Sequence, residues 1–271
     1  MAELLTIDKL HLWLASDDGP RHILRGISLS LAAGGFYGLI GESGSGKTMT
    51  ARTVLGMLDP ERSFAAGSVC LDGTELLTLD RRERRRMNGR AVSYVSQDPM
   101  TALNPLFTAG EQVAELLRAL KGLSRPAAKA AAITALADVG LPAELYSRYP
   151  HELSGGQLQR VCIAMAICTE PKLLIADEPT TALDVTTQAQ ILALLRRLRK
   201  EKGLCILLIT HDFGVVAETC DDVFVIQEGQ IVERGPLAEV FTDPQHPGTR
   251  RLIDSARRRA SYDASGEEAR P

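Results

Sequence analysis

Two apolar-rich runs, Leu4–Leu14 and Ile23–Leu31, read as strands joined by the turn-rich segment Ser16-Asp17-Asp18-Gly19-Pro20. Phe36–Ile40 is a short apolar strand that leads straight into a glycine-rich loop. A helix from Lys47 to about Leu58 is expected next, stopped near Pro60. Val69–Leu71 followed by Asp72-Gly73 reads as a hairpin, and Val92–Ser96 as a further short strand ending at Gln97. This opening part is therefore a sheet built around a loop.

Between about Asp98 and Pro150 the pattern turns helical, with Ala109–Leu120 and an alanine-rich run from Pro126 to Val139 that starts near Ser124 or Arg125. An inserted helical subdomain at about 98–165 is expected. Strands return at Leu173–Ala176, Cys205–Thr210 and Val223–Gln227, and the periodic helix Val185–Lys202 separates the first two. That alternation produces a parallel sheet. The main domain is placed at 1–247 and a C-terminal tail at 248–271, with Asp254–Pro271, rich in Arg, Ser and Glu, expected to fray. No internal repeat is found.

A chain of 271 residues with 45% hydrophobic content can bury a substantial core, as one large α/β domain or two small ones. Its formal charge of −3 gives the whole-chain field no reason to capture nucleic acid or acidic lipid, so no nucleic-acid partner is expected. The longest apolar stretches, such as Leu204–Ile209, are far shorter than the roughly 20 residues a spanning helix needs. Any membrane role is then expected to come through partners. The N-terminal Met1-Ala2-Glu3-Leu4-Leu5 lacks the basic start and apolar run of a secretory signal, which places the chain in the cytosol as an expectation. Cys70, Cys162, Cys168, Cys205 and Cys220 are scattered, with no CxxC pair, and read as reduced, buried thiols.

The chemistry begins at Gly41-Glu42-Ser43-Gly44-Ser45-Gly46-Lys47-Thr48, which follows an expected strand and opens an expected helix. Glycines let the backbone curl so that N–H groups point at phosphates, and the helix start adds a favourable dipole. Lys47 can then neutralise phosphate charge, and the Thr48 hydroxyl can ligate Mg²⁺. Leu173-Leu174-Ile175-Ala176-Asp177-Glu178 ends an apolar strand in two carboxylates. At the carboxyl edge of a parallel sheet, Asp177 can hold Mg²⁺ through its water shell and Glu178 can polarise an attacking water. Alone, such a strand end is weak; beside a phosphate loop it gains meaning.

Thr210-His211-Asp212 closes the next strand, where His211 either senses a γ-phosphate or serves a structural role. Gln97 closes another, with an amide able to meet both Mg²⁺ and the water. Leu153-Ser154-Gly155-Gly156-Gln157 precedes the helical run Leu158–Ile167 and offers a second anion-binding helix start. One nucleotide does not need two cradles. A dimer in which this element covers ATP held by another subunit's phosphate loop explains both.

Taken in order, the phosphate loop, Gln97, Leu153–Gln157, Asp177-Glu178, Thr181-Ala182-Leu183-Asp184 and His211 resemble the ATP-binding-cassette family, over about residues 4–245. The resemblance implies a P-loop α/β ATPase domain: a mostly parallel sheet with helices, an N-terminal antiparallel β subdomain and an inserted α-helical subdomain. It makes Gln97 the lid residue coupled to a membrane subunit, Ser154, Gly155, Gly156 and Gln157 the signature, Asp184 the dimer-contact loop and His211 the switch histidine. ATP and Mg²⁺ are the implied cofactors. Gln97-Asp98-Pro99, Tyr149-Pro150-His151-Glu152 and Gln245-His246-Pro247-Gly248-Thr249-Arg250 look like the peptide/nickel importer branch.

That branch implies a second, non-identical ATPase subunit, two permease subunits and a periplasmic or lipid-anchored binding protein, with this subunit peripheral at the cytoplasmic face of the bacterial inner membrane. Many peptide-importing members carry a cysteine-rich C-terminal extension, and no cysteine follows Cys220 here. The expectation accordingly tilts toward nickel or a metal chelate over di- or oligopeptide. A soluble cassette ATPase of DNA repair, translation or cluster assembly is the alternative, and a non-hydrolysing cassette is disfavoured because Lys47, Asp177, Glu178 and His211 are all present. The aromatic that stacks on adenine falls at Trp13, with Leu14 and His22 as rivals and strand packing as the other use of Trp13. Arg81-Arg82-Glu83-Arg84-Arg85-Arg86 and Arg257-Arg258-Arg259 read as a solvated helix face or tail, or as contacts for lipid headgroups or a permease loop.

Overall fold

The computed structural model describes residues 3–181 and 183–266. Ala182, in the segment expected to be the dimer-contact loop, and the last part of the expected tail at 267–271 lie outside the described residues. The chain runs β1 (Glu3–Leu14), β2 (Arg21–Ala32), β3 (Phe36–Ile40), α1 (Lys47–Leu55), β4 (Ser63–Leu71), β5 (Thr74–Glu75), α2 (Arg81–Met87), β6 (Val92–Val95) and α3 (Pro99–Ala102). It continues with α4 (Ala109–Lys121), α5 (Arg125–Asp138), α6 (Gly155–Ile167), β7 (Leu173–Asp177), α7 (Val185–Lys202) and β8 (Cys205–Thr210). Then follow α8 (Phe213–Thr219), β9 (Asp222–Gln227), β10 (Gln230–Pro236), α9 (Leu237–Thr242) and α10 (Pro247–Gly266).

Two compact units divide the chain, one built mainly from Thr78–Leu207 and the other from Leu5–Leu31, Phe36–Leu77 and the segment from Leu208 onward. The second contains a four-stranded sheet in the order β2-β1-β4-β5. β1 pairs β4 antiparallel, with Trp13 opposite Phe64 and Leu5 opposite Leu71. One face of this sheet is apolar, since Leu10, Leu12, Leu24 and Leu71 are fully buried. In the same unit β3 pairs β9 in parallel, and β10 returns antiparallel along β9.

The Thr78–Leu207 unit pairs β6 with β7 in parallel, Val92 opposite Leu173 and Val95 opposite Ala176. All residues of β7 and β8 are buried, the continuous apolar pattern of strands covered on both faces. Each large aliphatic side chain so buried stabilises by about 1.5–3 kcal/mol. Between β6 and β7 the chain is helical from α3 to α6. These helices begin on sequence-coded caps: Ser124 for α5, and Thr108 with Glu111 in a reciprocal capping box for α4. The architecture is mixed α/β, with antiparallel and parallel strand pairs and a helical insertion.

Three expectations need correction. α1 stops at Leu55, short of Leu58, because Gly56 takes a left-handed φ of 63° and its N–H turns back to close the helix. The segment after Asp254 was expected to fray; it continues α10 to Gly266, anchored by buried Ile253 and by Arg257, whose guanidinium lies over the Phe241 ring at 5.1 Å. The arginine run at Arg81–Arg86 is a helix, yet Arg84 is not part of a solvated face, being only 8% exposed. Burial pushes the Cys162 and Cys205 thiols up to about 12 and Cys168 up to about 11, the character of inert thiols.

Candidate nucleotide site

β3 delivers the chain into the glycine loop at buried Ile40, and the loop delivers it into α1 at Lys47. Within the loop the Lys47 ammonium donates to the carbonyls of Gly41 at 2.8 Å and Glu42 at 2.9 Å, which curls the loop around its own lysine. The Ser45 carbonyl accepts from the Gly229 N–H at 2.9 Å, tying the loop to the turn between β9 and β10. Gly41 sits so close to that strand that a Cβ would lie 2.2 Å from the Ile226 carbonyl oxygen. Gly46 has a φ of 111°, a conformation that side-chain-bearing residues rarely adopt.

α1 starts on Gly46 without a side-chain cap, whereas α2, α4, α5, α6 and α7 all have one. Its start therefore has no side-chain acceptor from its own cap residue. The Ser45 hydroxyl is buried with no hydrogen-bond partner among the described residues. An orphaned hydroxyl, an uncapped helix start and a buried ammonium together fit a polyphosphate. The loop residues Gly41, Glu42, Ser43, Gly44, Ser45, Gly46, Lys47 and Thr48 thus form one continuous cradle.

The carboxylates sit in the other unit, at the end of β7. Asp177 is buried, and Tyr94 on the neighbouring strand β6 donates its hydroxyl to it at 2.9 Å. Glu178 follows in a left-handed backbone conformation with φ 48°, an uncommon state for a non-glycine residue. Its carboxylate accepts from the Gln97 amide at 3.2 Å and from the Thr181 hydroxyl at 3.0 Å. β6 and β7 run parallel and end together, which is why Gln97 and Glu178, far apart in sequence, meet. The pairing of Tyr94 with Asp177 was not anticipated, because an aromatic in mid-strand carries no sign of its partner.

In the same unit Ser154 caps α6 and forms a capping box with Gln157, donating its N–H to the Gln157 amide oxygen at 2.9 Å and accepting the Gln157 N–H at 3.3 Å. The N–H groups of Gly155 and Gly156 have no partner among the described residues, and they remain an anion-facing helix start. Gly156 packs so tightly on α7 that a Cβ would lie 2.5 Å from Thr187 Cγ2. Thr187 in turn donates its N–H at 2.9 Å and its hydroxyl at 2.7 Å to Asp184, the cap of α7. Those bonds, the Thr187 hydroxyl first, hold the Asp184 carboxyl below the usual range. The start of α6 and the capped start of α7 are thus packed against each other.

His211 follows β8 and is exposed, in the unit of the phosphate loop. Trp13 lies half-buried on β1, its indole parallel to the His22 ring at 4.5 Å, with His11 at 5.5 Å and Phe64 at 5.6 Å. His11 and His22 share a hydrogen bond of 3.0 Å. Trp13 is therefore engaged in cross-strand stacking, and His22 shares its face. Among the described residues no helix is long and apolar enough to cross a membrane.

Residues 24–181 match the family described as ABC transporter. The dipeptide transport ATP-binding protein DppD of Bacillus subtilis (strain 168) is 40% identical, over 100% of this chain and 81% of its own length. The oligopeptide transport ATP-binding protein OppD of the same organism is 42% identical over 99% of this chain and 75% of its own. Among solved structures, the dimeric post-hydrolysis ATP-binding cassette MJ0796 bound to ADP and Pi superposes with a TM-score of 0.77 at 28% identity, covering 86% of this chain and 98% of that one. The chain belongs to the ABC transporter family, as an ATP-binding ATPase coupled to transport.

Proposed function

We propose that this chain powers a peptide importer, working as one of two ATPase subunits beneath a pair of permeases fed by a substrate-binding protein. Support comes from the names of the relatives above, which give dipeptide and oligopeptide transport and not nickel. The tilt toward nickel gains nothing from them. A helical-layer cleft of about 890 Å³, lined by Phe107, Gln112, Glu115, Arg118, Tyr146 and Met165, is the surface we assign to a permease segment. Leu106 beside it is 79% exposed, an apolar residue suited to cover by a partner. A chain with no spanning helix among its described residues would then act from the cytoplasmic face through these contacts.

In the catalytic reading, Lys47 and the loop N–H groups bind the β- and γ-phosphates of ATP and Ser45 donates its unpartnered hydroxyl to them. Thr48 and Asp177 would hold Mg²⁺, with Gln97 reaching it through its amide, and the ion would neutralise phosphate charge. Glu178 orients and polarises the attacking water, and His211 contacts the γ-phosphate. Trp13 or His22 supports the adenine. The single observation that carries this reading is the Gln97–Glu178 hydrogen bond, which joins the lid residue to the general base.

A partner subunit's Ser154, Gly155 and Gly156 equivalents would close over the nucleotide. That the related MJ0796 cassette is dimeric supports such a closure. Reconstitution with permeases and binding protein tests the substrate: a peptide-loaded binding protein should stimulate ATP hydrolysis. Stimulation by the Ni²⁺-loaded form with none by the peptide-loaded form would overturn the peptide reading.

A further inference from the structure

α2 carries a concentration of charge that the nucleotide chemistry does not use. Arg81, Arg82, Arg85 and Arg86 are all exposed on this short helix, and Arg90 is exposed just after it. None of the first four guanidinium groups has a hydrogen bond or ion pair to another described residue. The one acid on the helix, Glu83, is occupied locally: its carboxylate accepts the Asp80 N–H at 3.0 Å while its own N–H goes to the Asp80 carboxylate at 2.7 Å. This capping box starts the helix, and buried Arg84 keys it into the unit. Arg90 donates to the Leu120 carbonyl at 2.9 Å, fixing the loop after α2 against the end of α4. The arginines are thereby displayed on a held helix.

Soluble surfaces ordinarily intersperse charges of both signs. Here four unpaired guanidinium groups crowd one short helix of a chain whose net charge is −3, so the cluster is local and not a consequence of overall composition. Crowded like charges repel unless an anionic surface covers them. Guanidinium is the side chain best matched to phosphate oxygens, and several on one helix match an array of phosphates better than a single ion. For an ATPase coupled to transport and lacking a spanning helix among its described residues, the phosphate array within reach is the anionic leaflet of the membrane that holds its permeases.

We propose that α2 is an electrostatic contact for anionic lipid headgroups, supplementing the permease contacts in holding the subunit at the membrane. This rests on the transport reading for its setting, but not on the identity of the cargo. The purified full chain should sediment with phosphatidylcholine vesicles containing phosphatidylglycerol and not with phosphatidylcholine alone. Binding should collapse at high salt, where screening shortens the reach of the charges to a few Å. Each arginine near the surface contributes about fivefold to partitioning, so joint replacement of Arg81, Arg82, Arg85 and Arg86 by Gln should lower it by about 10²-fold or more. Joint replacement by Lys should leave most of it.

Should the Gln quadruple variant fold poorly, the pair Arg85→Gln and Arg86→Gln, compared with wild type by circular dichroism and ATP binding, reads the same effect at about 25-fold. Vesicle binding equal in the wild type and in a folded Gln variant overturns the proposal, as does wild-type binding that ignores phosphatidylglycerol. Displacement from vesicles by single-stranded RNA at equal phosphate concentration also overturns it, in favour of a nucleic-acid surface. ATP binding in the same preparations reports separately on the ATPase assignment, so failure of one is distinguishable from failure of the other.

Discussion

The Gln97 amide donates to the Glu178 carboxylate at 3.2 Å, across the parallel pair formed by β6 and β7. Glu178 is also held by Thr181 and by its left-handed backbone, so its carboxylate is positioned before any ligand arrives. Glu178→Gln keeps the shape and removes the carboxylate proposed as the base. Steady-state hydrolysis should fall by about 10²–10⁴-fold while ATP affinity is retained. Equilibrium titration and phosphate release measure the two separately, and a variant hydrolysing at the wild-type rate would remove Glu178 from its assigned role.

Gly41 tests the loop by volume alone. A Cβ there would stand 2.2 Å from the Ile226 carbonyl oxygen and 2.7 Å from Ser45 Oγ, and the first obstacle is backbone that cannot rotate away. Gly41→Ala should therefore displace the loop and weaken ATP binding by at least tenfold, with a loss of stability of about 1–3 kcal/mol. Lys47→Ala should abolish binding by removing charge and the bonds to the Gly41 and Glu42 carbonyls, without inserting bulk. Calorimetric titration and thermal melts distinguish the two patterns.

The strand and glycine turn that open α1, and the capped start of α6, were legible in the sequence because each is a run of adjacent residues whose chemistry is local. Ser154 and Gln157 form their capping box from spacing alone. Contacts between distant segments were not legible. Tyr94 meets Asp177, and Gly229 grips Ser45, only because parallel strands and their turns bring them side by side. β10 escaped notice since its half-exposed residues lack an apolar run, and α10 since its sequence looks like a tail until Ile253 is buried and Arg257 meets the Phe241 ring. Arg84 shows the same limit: nothing in a row of arginines tells which one turns inward.

Gly156 and Thr187 form a coupled pair. A Cβ on residue 156 would lie 2.5 Å from Thr187 Cγ2, the methyl that serine lacks. Gly156→Ala should lower stability by about 1–3 kcal/mol through overpacking and weaken ATP-dependent association. Adding Thr187→Ser should restore most of both, because the serine hydroxyl still reaches Asp184. A double-mutant cycle on melting temperature and dimer formation measures this; simple additivity would show that the α6–α7 packing does not transmit the change.

The thiols offer a check on packing. With Cys162 and Cys205 pushed up to about 12 by burial and Cys168 to about 11, alkylation at neutral pH should leave these three unlabelled in the native chain and label them after denaturation. Peptide mass analysis locates the label. Native labelling of Cys205, which lies in a wholly buried strand, would mean that β8 opens readily.

The start of α4 gives a pH dependence of defined sign. Glu111 accepts the Thr108 N–H at 3.0 Å and its hydroxyl at 2.9 Å, the backbone bond being the larger of the influences that hold its carboxyl below the ordinary value of 4.5. A carboxylate depressed in the folded state adds stability above its unfolded value and loses it as pH falls through the lower folded value. Protection of α4 amides against hydrogen exchange should therefore be constant from neutral pH down to about 4.5 and decline below it. Glu111→Gln should flatten this decline by removing the titrating group, while Thr108→Ala should lower stability by about 1 kcal/mol at neutral pH through loss of the cap. Because α4 supplies Gln112 and Glu115 to the cleft assigned to the permease, the same variants should weaken coupling of hydrolysis to transport more than they weaken ATP binding. An equal loss of both would place the effect in the nucleotide cradle and not in the helical layer.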